Sequence, residues 1–542
     1  MTELSGAGDG ARGDDGDGGA ADELVGKRMI LAVLLSMAMF VLVVDTSLMN
    51  VSISAVVRDL DTTVSGVQSA IALEALVSAA FILIGSKVGD LIGRKRAYVI
   101  GLLGYAVGAS AMAVAQSLLV VVIFWAVIGG IGASLLLPAM QSLIHGNFAG
   151  PAQKRVYALV GAAAAIAAAV GPLLGGFITT YLSWRIAFVL EVVIIVIVLV
   201  GIKLVHDSPY EGPRGVDVVG ALLSVVGMGG IVLGVLVWQE GGESVGAFLA
   251  VGAVAMGSLV YWLIRRHRAG KPSLMNPEMF RSKPFRIGVT QQMLQQIALG
   301  GIMIALPIYL QMVLEYNAMQ AGLSLAPLSL SMFVVALLAG QRAGHIRAGI
   351  LVAGGFGLLT LGVAVLIPLV PRADFGWSLI LPLVVAGSGL GLLVSQLNDY
   401  TLGPMSEEQV SEAAGTNSAA GSFGLSFGLA MAGAVLLATL AIGFTDQAQD
   451  SDVLPPADKD HVAQVLEDDA EVMSNTALRE TLVGQPPAVA DEIIRINTDV
   501  RPVALQFALL VPLVAGALGL LNSIRMIRTD SAPAATGSSP PV

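Results

Sequence analysis

The chain has 542 residues, 55% of them hydrophobic and 13% charged, with a mean hydropathy of +0.81 and a net charge of −10. Soluble domains carry about 25% charged residues and need a polar exterior, so this composition excludes a soluble enzyme and a nucleic-acid-binding protein. Cysteine is absent, which excludes disulfides and cysteine-ligated metal, and the five histidines (145, 206, 267, 345 and 461) lack the i, i+4 spacing of a helical metal site. A helix crosses a bilayer core with about 20 apolar residues. Fourteen such stretches are predicted: 29–50, 67–85, 97–115, 118–138, 156–181, 185–205, 218–238, 246–264, 286–311, 318–340, 348–370, 377–398, 413–443 and 503–526. The least marked breaks are Ala115-Gln116-Ser117 and the short link Gln341–Arg347. Glycine, at 64 residues, suits closely packed membrane helices.

With the N-terminus inside, 22 of the 29 lysines and arginines fall on the inner side. Of the 7 outside, four lie in one acidic segment. An odd number of spans would spoil this alternation, so both termini are expected in the cytoplasm of a multi-pass plasma-membrane protein. Residues 1–27 read as a disordered cytoplasmic tail, with seven acids and one arginine in the first 23 positions. No basic region precedes a small-residue cleavage site, so a cleavable signal peptide is not expected. Residues 529–542 read as a second disordered tail.

Taken in chain order, the first span holds Asp45 within Val44-Asp45-Thr46-Ser47-Leu48-Met49-Asn50-Val51, about 24 Å along the helix from residue 29 at ~1.5 Å per residue, hence in the outer part of the membrane. A carboxylate in hydrocarbon is costly, and one that takes up and releases a proton is what a proton carrier requires. A hydrogen-bonded carboxylate at a helix end is the alternative. Glu74, mid-way along the second span, is read with Asp45 as a group for proton or cation binding. Gly85-Ser-Lys-Val-Gly89-Asp90-Leu-Ile-Gly93-Arg94-Lys95-Arg96 follows: two glycines four apart allow close helix approach, and Asp90 at the inner rim can face the positive N-terminus of another helix. In the fifth span an alanine run ends in Gly171-Pro172-Leu-Leu-Gly175-Gly176, small residues that permit close sliding contact. Glu191, in the sixth span, is a third buried acid, with a structural role expected. Gln291, Gln292, Gln295 and Gln296 form two pairs, each one helical turn apart. Four amides do not face lipid without cost, so they are expected to line a substrate cavity with Met293, helix–helix hydrogen bonding being the alternative. Residues 444–502, with 13 acids and 4 bases, form an acidic outer insert expected to hold short amphipathic helices at 461–466 and 490–496. It reads as a solvated cap or as a lid that attracts cations.

The Gly85–Arg96 loop resembles the G-x-x-x-G-D-x-x-G-R-[KR] pattern of the major facilitator superfamily. Asp45 and its neighbours resemble the D-x-[ST]-[IVL]-[VM]-N-V signature of the fourteen-helix drug:proton antiporters, Gly171–Gly176 the G-P-x-x-G-G antiporter motif of exporters, and Ser183-Trp184-Arg185 the signature opening helix 6. The resemblance covers about residues 28–528. It implies an all-α membrane fold of 14 transmembrane helices: a six-helix bundle over 28–205, two linker helices and a basic cytoplasmic loop over 206–284, and a second six-helix bundle over 285–528 that includes the insert. It implies a proton-coupled exporter of amphipathic small molecules or drugs, working by alternating access. The partners expected are a small-molecule substrate, protons and lipid, with no nucleic acid, cofactor, metal or catalytic residue, in a monomer. In the family, Asp90 and the basic residues Arg94, Lys95 and Arg96 latch the two halves together, here with the partner expected near Ser411–Thr416. Two departures stand out. Ala126 and Gly129 occupy the places of the usual helix 4 arginine and glutamine, which puts the coupling route in doubt. Gln341–Arg347, the second-half copy of the loop, lacks the aspartate. Export of a native lipid or metabolite, or a receptor that kept the fold, are the other readings.

Overall fold

The computed structural model describes residues 15–148, 150–204, 215, 217–239, 242–341, 346–372, 375–405, 407–456, 459, 475–483 and 485–530. Fourteen helices are long and apolar enough to cross a membrane: α1 Arg28–Leu60, α2 Val64–Ile92, α3 Arg94–Ala113, α4 Leu118–Asn147, α5 Arg155–Tyr181, α6 Trp184–Leu204, α7 Val218–Gln239, α8 Val245–Arg268, α9 Lys283–Val313, α10 Ala318–Gly340, α11 Ala348–Arg372, α12 Gly376–Leu402, α13 Glu412–Asp450 and α14 Pro487–Arg528. Each predicted stretch overlaps one of them in order. Side-chain caps start several: Thr63 accepts from the Gly66 amide at 3.0 Å ahead of α2, and Ser183 from Arg185 at 3.3 Å ahead of α6. Between α2 and α3 the chain turns at Gly93, whose φ of 96° favours glycine.

The helices pair by a rule that repeats after eight. In the first half α1 packs on α5 and α6, α4 on α2 and α3, and α3 on α6; in the second, α9 packs on α13 and α14, α12 on α10 and α11, and α11 on α14. Such a repeat is the hallmark of a transporter built from two bundles with its site between them. The halves meet through α2 with α13 and α5 with α10, and α7 and α8 pair with each other, α7 leaning on α2 and α13. Ser426 of α13 donates to the Ala72 carbonyl of α2 at 2.6 Å, and nearer the outer face Gln239 of α7 donates to Gln68 of α2 at 2.8 Å. The linker helices are anchored by Asp217, which accepts from Trp262 at 2.9 Å and from the Leu274 amide at 3.2 Å, with Arg266 at 3.7 Å.

Three expectations are revised. The helix that becomes α1 already begins at Asp15, so the backbone of 15–27 is not an unstructured tail; extending an established helix is far easier than nucleating one. The span containing Asp45 runs to Leu60 rather than residue 50, because its polar residues return hydrogen bonds to their own helix: Asn50 to the Thr46 carbonyl at 2.8 Å and Ser52 to Leu48 at 2.9 Å. The outer insert is shorter than expected, since α13 continues to Asp450 and α14 begins at Pro487. The expected helix at 461–466 lies outside the described residues, as does most of the eroded loop, 342–345; residues 490–496 are helical, within α14.

The insert is tied down over the α9–α10 turn. Glu315, with φ 54°, accepts from the Thr476 amide at 2.9 Å and the Thr476 hydroxyl at 2.6 Å. Burial pushes the Glu315 carboxyl up, but the bonds from Thr476 and Asn475, with Arg479 nearby, outweigh it and hold the carboxyl below its usual range. A carboxyl lowered on folding stabilises the folded form above its unfolded value and ceases to do so as pH falls through the folded value. Amide-exchange protection at Asn475 and Thr476 is therefore expected to hold at neutral pH and drop as the solution is acidified below about pH 4.5. In Glu315→Gln it should be low at both; equal protection in both proteins would refute the tie.

Candidate functional site

Asp45 is 17 residues from the start of α1 and 15 from its end, so it lies at mid-helix, about 25 and 22 Å from the two ends. It is 1% exposed. Tyr105 of α3 and Trp125 of α4 both donate to its Oδ2, the indole at 2.9 Å and the hydroxyl closer still, while Oδ1 has no partner. Trp125 lies in a nine-residue π-helical stretch, Val121–Gly129, and such windings concentrate at functional sites. Its ring packs edge-on against Phe188, 6.5 Å between centroids, and Phe188 against Trp184 at 6.0 Å. Trp184 in turn donates to Asp59 at 3.0 Å, and Arg185 reaches Asp59 and the Ala115 carbonyl. The sequence between 183 and 185 thus ties the C-terminal end of α1 and the N-terminal end of α6 to the α3–α4 turn and braces the wall behind Asp45.

Two further acids belong to this region. Glu74 is buried on α2, where a side chain added at Gly130 of α4 would meet its backbone carbonyl at 3.0 Å. Two residues before it, the Ala72 carbonyl takes the bond from Ser426 of the other half. Glu191 on α6 is 3% exposed and neither of its oxygens has a partner. Asp45 acts electrostatically on both Glu74 and Glu191, and all three act on the Tyr105 hydroxyl. Among the described residues none of the three acids forms an ion pair. Ala126, in the place of the helix 4 arginine, is fully buried.

The glycines of α5 are where close approach is required. A Cβ on Gly171 would sit 2.5 Å from the Ser47 Cβ, and one on Gly175 would sit 3.0 Å from the Leu48 Cα, both on α1 within a turn of Asp45. One on Gly176 would sit 2.5 Å from the Ala318 carbonyl of α10, and one on Gly322 of α10 would meet the Pro172 carbonyl. Thr180 accepts from the Met319 amide at 2.9 Å. Gly171–Gly176 is therefore one surface touching the helix of Asp45 and the opposite half of the molecule. The inner parts of α5 and α10 behave differently: most positions at 157–166 and 331–340 are exposed or half-buried, and side chains at Gly161 or Gly340 would meet nothing within 4 Å. The halves are in contact at the Gly176 and Ala318 ends of α5 and α10 and part toward their Gly161 and Gly340 ends.

Asp90 pairs with Arg94, 3.3 Å away and four residues on, a neighbour one helical turn along the chain. At the start of α13, Thr416 returns its hydrogen bond to Glu412, and Glu412 accepts from the Asn276 amide. Gly85 does bring helices together, its Cβ position lying 2.5 Å from the Ser134 carbonyl of α4, and Gly89 faces Ala97 at 3.5 Å. Lys95 is half-buried and Arg96 exposed. In α9, Gln291 does not face a cavity: it is fully buried and donates to the Gly519 carbonyl at 3.0 Å and to Ser523 at 2.9 Å, both on α14. Gln295 is buried on that side too. Gln292 and Gln296 are half-buried toward α13, 3.3 and 3.7 Å from a Cβ placed on Gly421, and the Met293 carbonyl is 2.5 Å from one on Gly424.

The model of the Major Facilitator Superfamily matches residues 35–429. The chain belongs to that superfamily. Among its relatives, the probable actinorhodin transporter of Streptomyces coelicolor is 26% identical over 418 residues, 75% of this chain and 72% of that one. The multidrug resistance protein Stp of Mycobacterium tuberculosis is 26% identical over 82% of each chain. The tetracenomycin C resistance and export protein of Streptomyces glaucescens is 26% identical over 82% of this chain and 81% of that one. Among solved structures, a bacterial homologue of the human lysosomal transporter Spinster has the same fold, with a TM-score of 0.63 at 12% identity, covering 94% of this chain and 99% of that one. This superfamily member is thus a multi-pass membrane transporter with drug and antibiotic exporters among its relatives. Tyr105 and Trp125, which hold Asp45, were not singled out in the sequence, since nothing local marks two aromatics 60 and 80 residues away as its partners.

Proposed function

We propose that the protein is a proton-coupled exporter of amphipathic small molecules, working by alternating access in the cell membrane as a monomer with both termini in the cytoplasm. The observation that carries this reading is the position of Asp45. It is buried at mid-helix with one oxygen unpartnered, on the turn of α1 that Gly171 and Gly175 touch, while Gly176 on the same helix touches the other half. Intramembrane carboxylates are costly and mark ion pathways by default. A proton arriving at Asp45 or Glu74 removes a charge from the core of the N-terminal half, next to the surfaces on which the halves close. The charged and neutral forms then favour different arrangements, which is all that coupling requires. Gln292, Gln296 and Met293 are assigned to cargo: half-buried amides and a flexible thioether suit varied molecules. Relatives named for multidrug resistance, actinorhodin and tetracenomycin C support export of this class of molecule. The Asp90–Arg94 pair and the glycines around it are assigned to gating on the inner face.

The test is dye accumulation by purified protein in liposomes under an imposed pH gradient. Accumulation against the dye gradient is expected, and in Glu74→Gln its initial rate should fall roughly tenfold or more, the scale of one lost interaction of about 1.4 kcal/mol. Dye movement indifferent to the pH gradient would overturn the reading in favour of a uniporter or receptor.

A further inference from the structure

We propose that Glu191 is a second proton-binding group of the transport cycle, acting alongside Asp45, so that two protons are exchanged per cargo molecule. The proposal rests on the proton-coupled reading above and deepens it.

The case begins with burial. Trp184, Phe188, Glu191, Ile195 and Val198 form one face of α6, and all five are at most 3% exposed. Glu191 lies one turn inward of Phe188, whose ring packs on Trp125, so the carboxyl sits at the level where Trp125 and Tyr105 hold Asp45. A carboxyl kept for structure has bonds to show for it; this one has none on either oxygen. A buried carboxylate without partners costs several kcal/mol, whereas the same group carrying a proton avoids the charge altogether.

The surroundings supply no cation. Among the described residues the ionisable groups that act on Glu191 or on its neighbour Tyr105 of α3 are Asp45 of α1 and Glu74 of α2, both acids. α4 contributes Trp125, which carries no charge. Arg185, on α6 itself, is turned outward to Asp59 and Ala115. Further inward, Tyr98 of α3 lies two turns from Tyr105 on the seam with α1 and α6, among Leu31, Leu34, Leu35 and Val198, and its hydroxyl has no partner either. Two buried acids on adjoining helices with no counter-ion among the described residues cannot both be ionised as cheaply as one.

The experiment measures stoichiometry on the full chain in liposomes, with ethidium as probe, the voltage clamped at zero by potassium and valinomycin, and a pH step of one unit. The limiting accumulation ratio is ~100-fold for two protons and ~10-fold for one, each proton contributing a factor of ten per pH unit. Wild type is expected near the first value, Glu191→Gln near the second with an unchanged melting temperature, and Glu191→Asp near the first. A Glu191→Gln protein that keeps the wild-type ratio, while Asp45→Asn loses accumulation, would overturn the role of Glu191 and leave the role of Asp45 standing. A wild type that accumulates no dye would overturn both. Infrared difference spectra between acid and alkaline pH provide a second readout that survives a poorly folding Gln variant: Glu191→Asp should shift one buried carboxyl band, and a spectrum identical to wild type would refute the proposal.

Discussion

Replacing Gly176 with leucine is expected to abolish export while leaving the protein folded. The reason is geometric. A Cβ at this position would lie 2.5 Å from the Ala318 carbonyl and 2.9 Å from the Met319 Cα, and backbone atoms cannot rotate aside as a side chain can. Overpacking of this kind costs about 1–3 kcal/mol, and here the cost falls on only one arrangement, the one in which the outer ends of α5 and α10 touch. A molecule that separates them escapes the penalty, so the population shifts toward an outward-open form. Because the chain has no cysteine, spin labels placed at Tyr181 and Trp377, exposed on opposite halves, meet no background. Their separation should lengthen in Gly176→Leu. Gly161→Leu, at a position where nothing lies within 4 Å, should leave both distance and transport unchanged. An unaltered distance distribution in Gly176→Leu would show that this contact does not control closure.

Asp45→Asn should reduce pH-driven accumulation to background with a nearly unchanged melting temperature. Asparagine keeps an oxygen to accept from Tyr105 and Trp125, so the wall around it survives, but the side chain can no longer change charge. Downhill exchange of labelled for unlabelled dye should persist, separating loss of coupling from loss of the site. Asp45→Ala is a different experiment: it strands a buried hydroxyl and a buried indole N–H, at about 1–3 kcal/mol for each orphaned group. It should lower the melting temperature as well. Full pH-driven accumulation by Asp45→Asn would place the proton elsewhere.

The spans were legible in the sequence because each is a long apolar run, and the small-residue motif of α5 because glycine at close spacing has one main use in a membrane. What was not legible depended on partners far along the chain. The length of α1 was underestimated because Asn50 and Ser52 look polar in one dimension but spend their polarity on their own helix. The glutamines of α9 share a composition but not a direction: Gln291 is claimed by Gly519 and Ser523, more than 200 residues away in sequence, and Gln292 by the neighbourhood of Gly421. The extra residue per turn in the π-helical part of α4 cannot be read from Val121–Gly129, yet the indole that reaches Asp45 belongs to that winding.

The alanine at 126 has an electrical consequence. Among the described residues no fixed positive charge lies beside the three acids of the N-terminal half, which leaves their compensation to mobile charges. Under the proposed proton exchange, the current carried per turnover is the number of protons entering less the charge on the molecule leaving. Two protons exchanged for a monovalent organic cation move one net charge, so a voltage of 100 mV, inside negative, adds about 2.3 kcal/mol to export, and an uncharged cargo gains about twice as much.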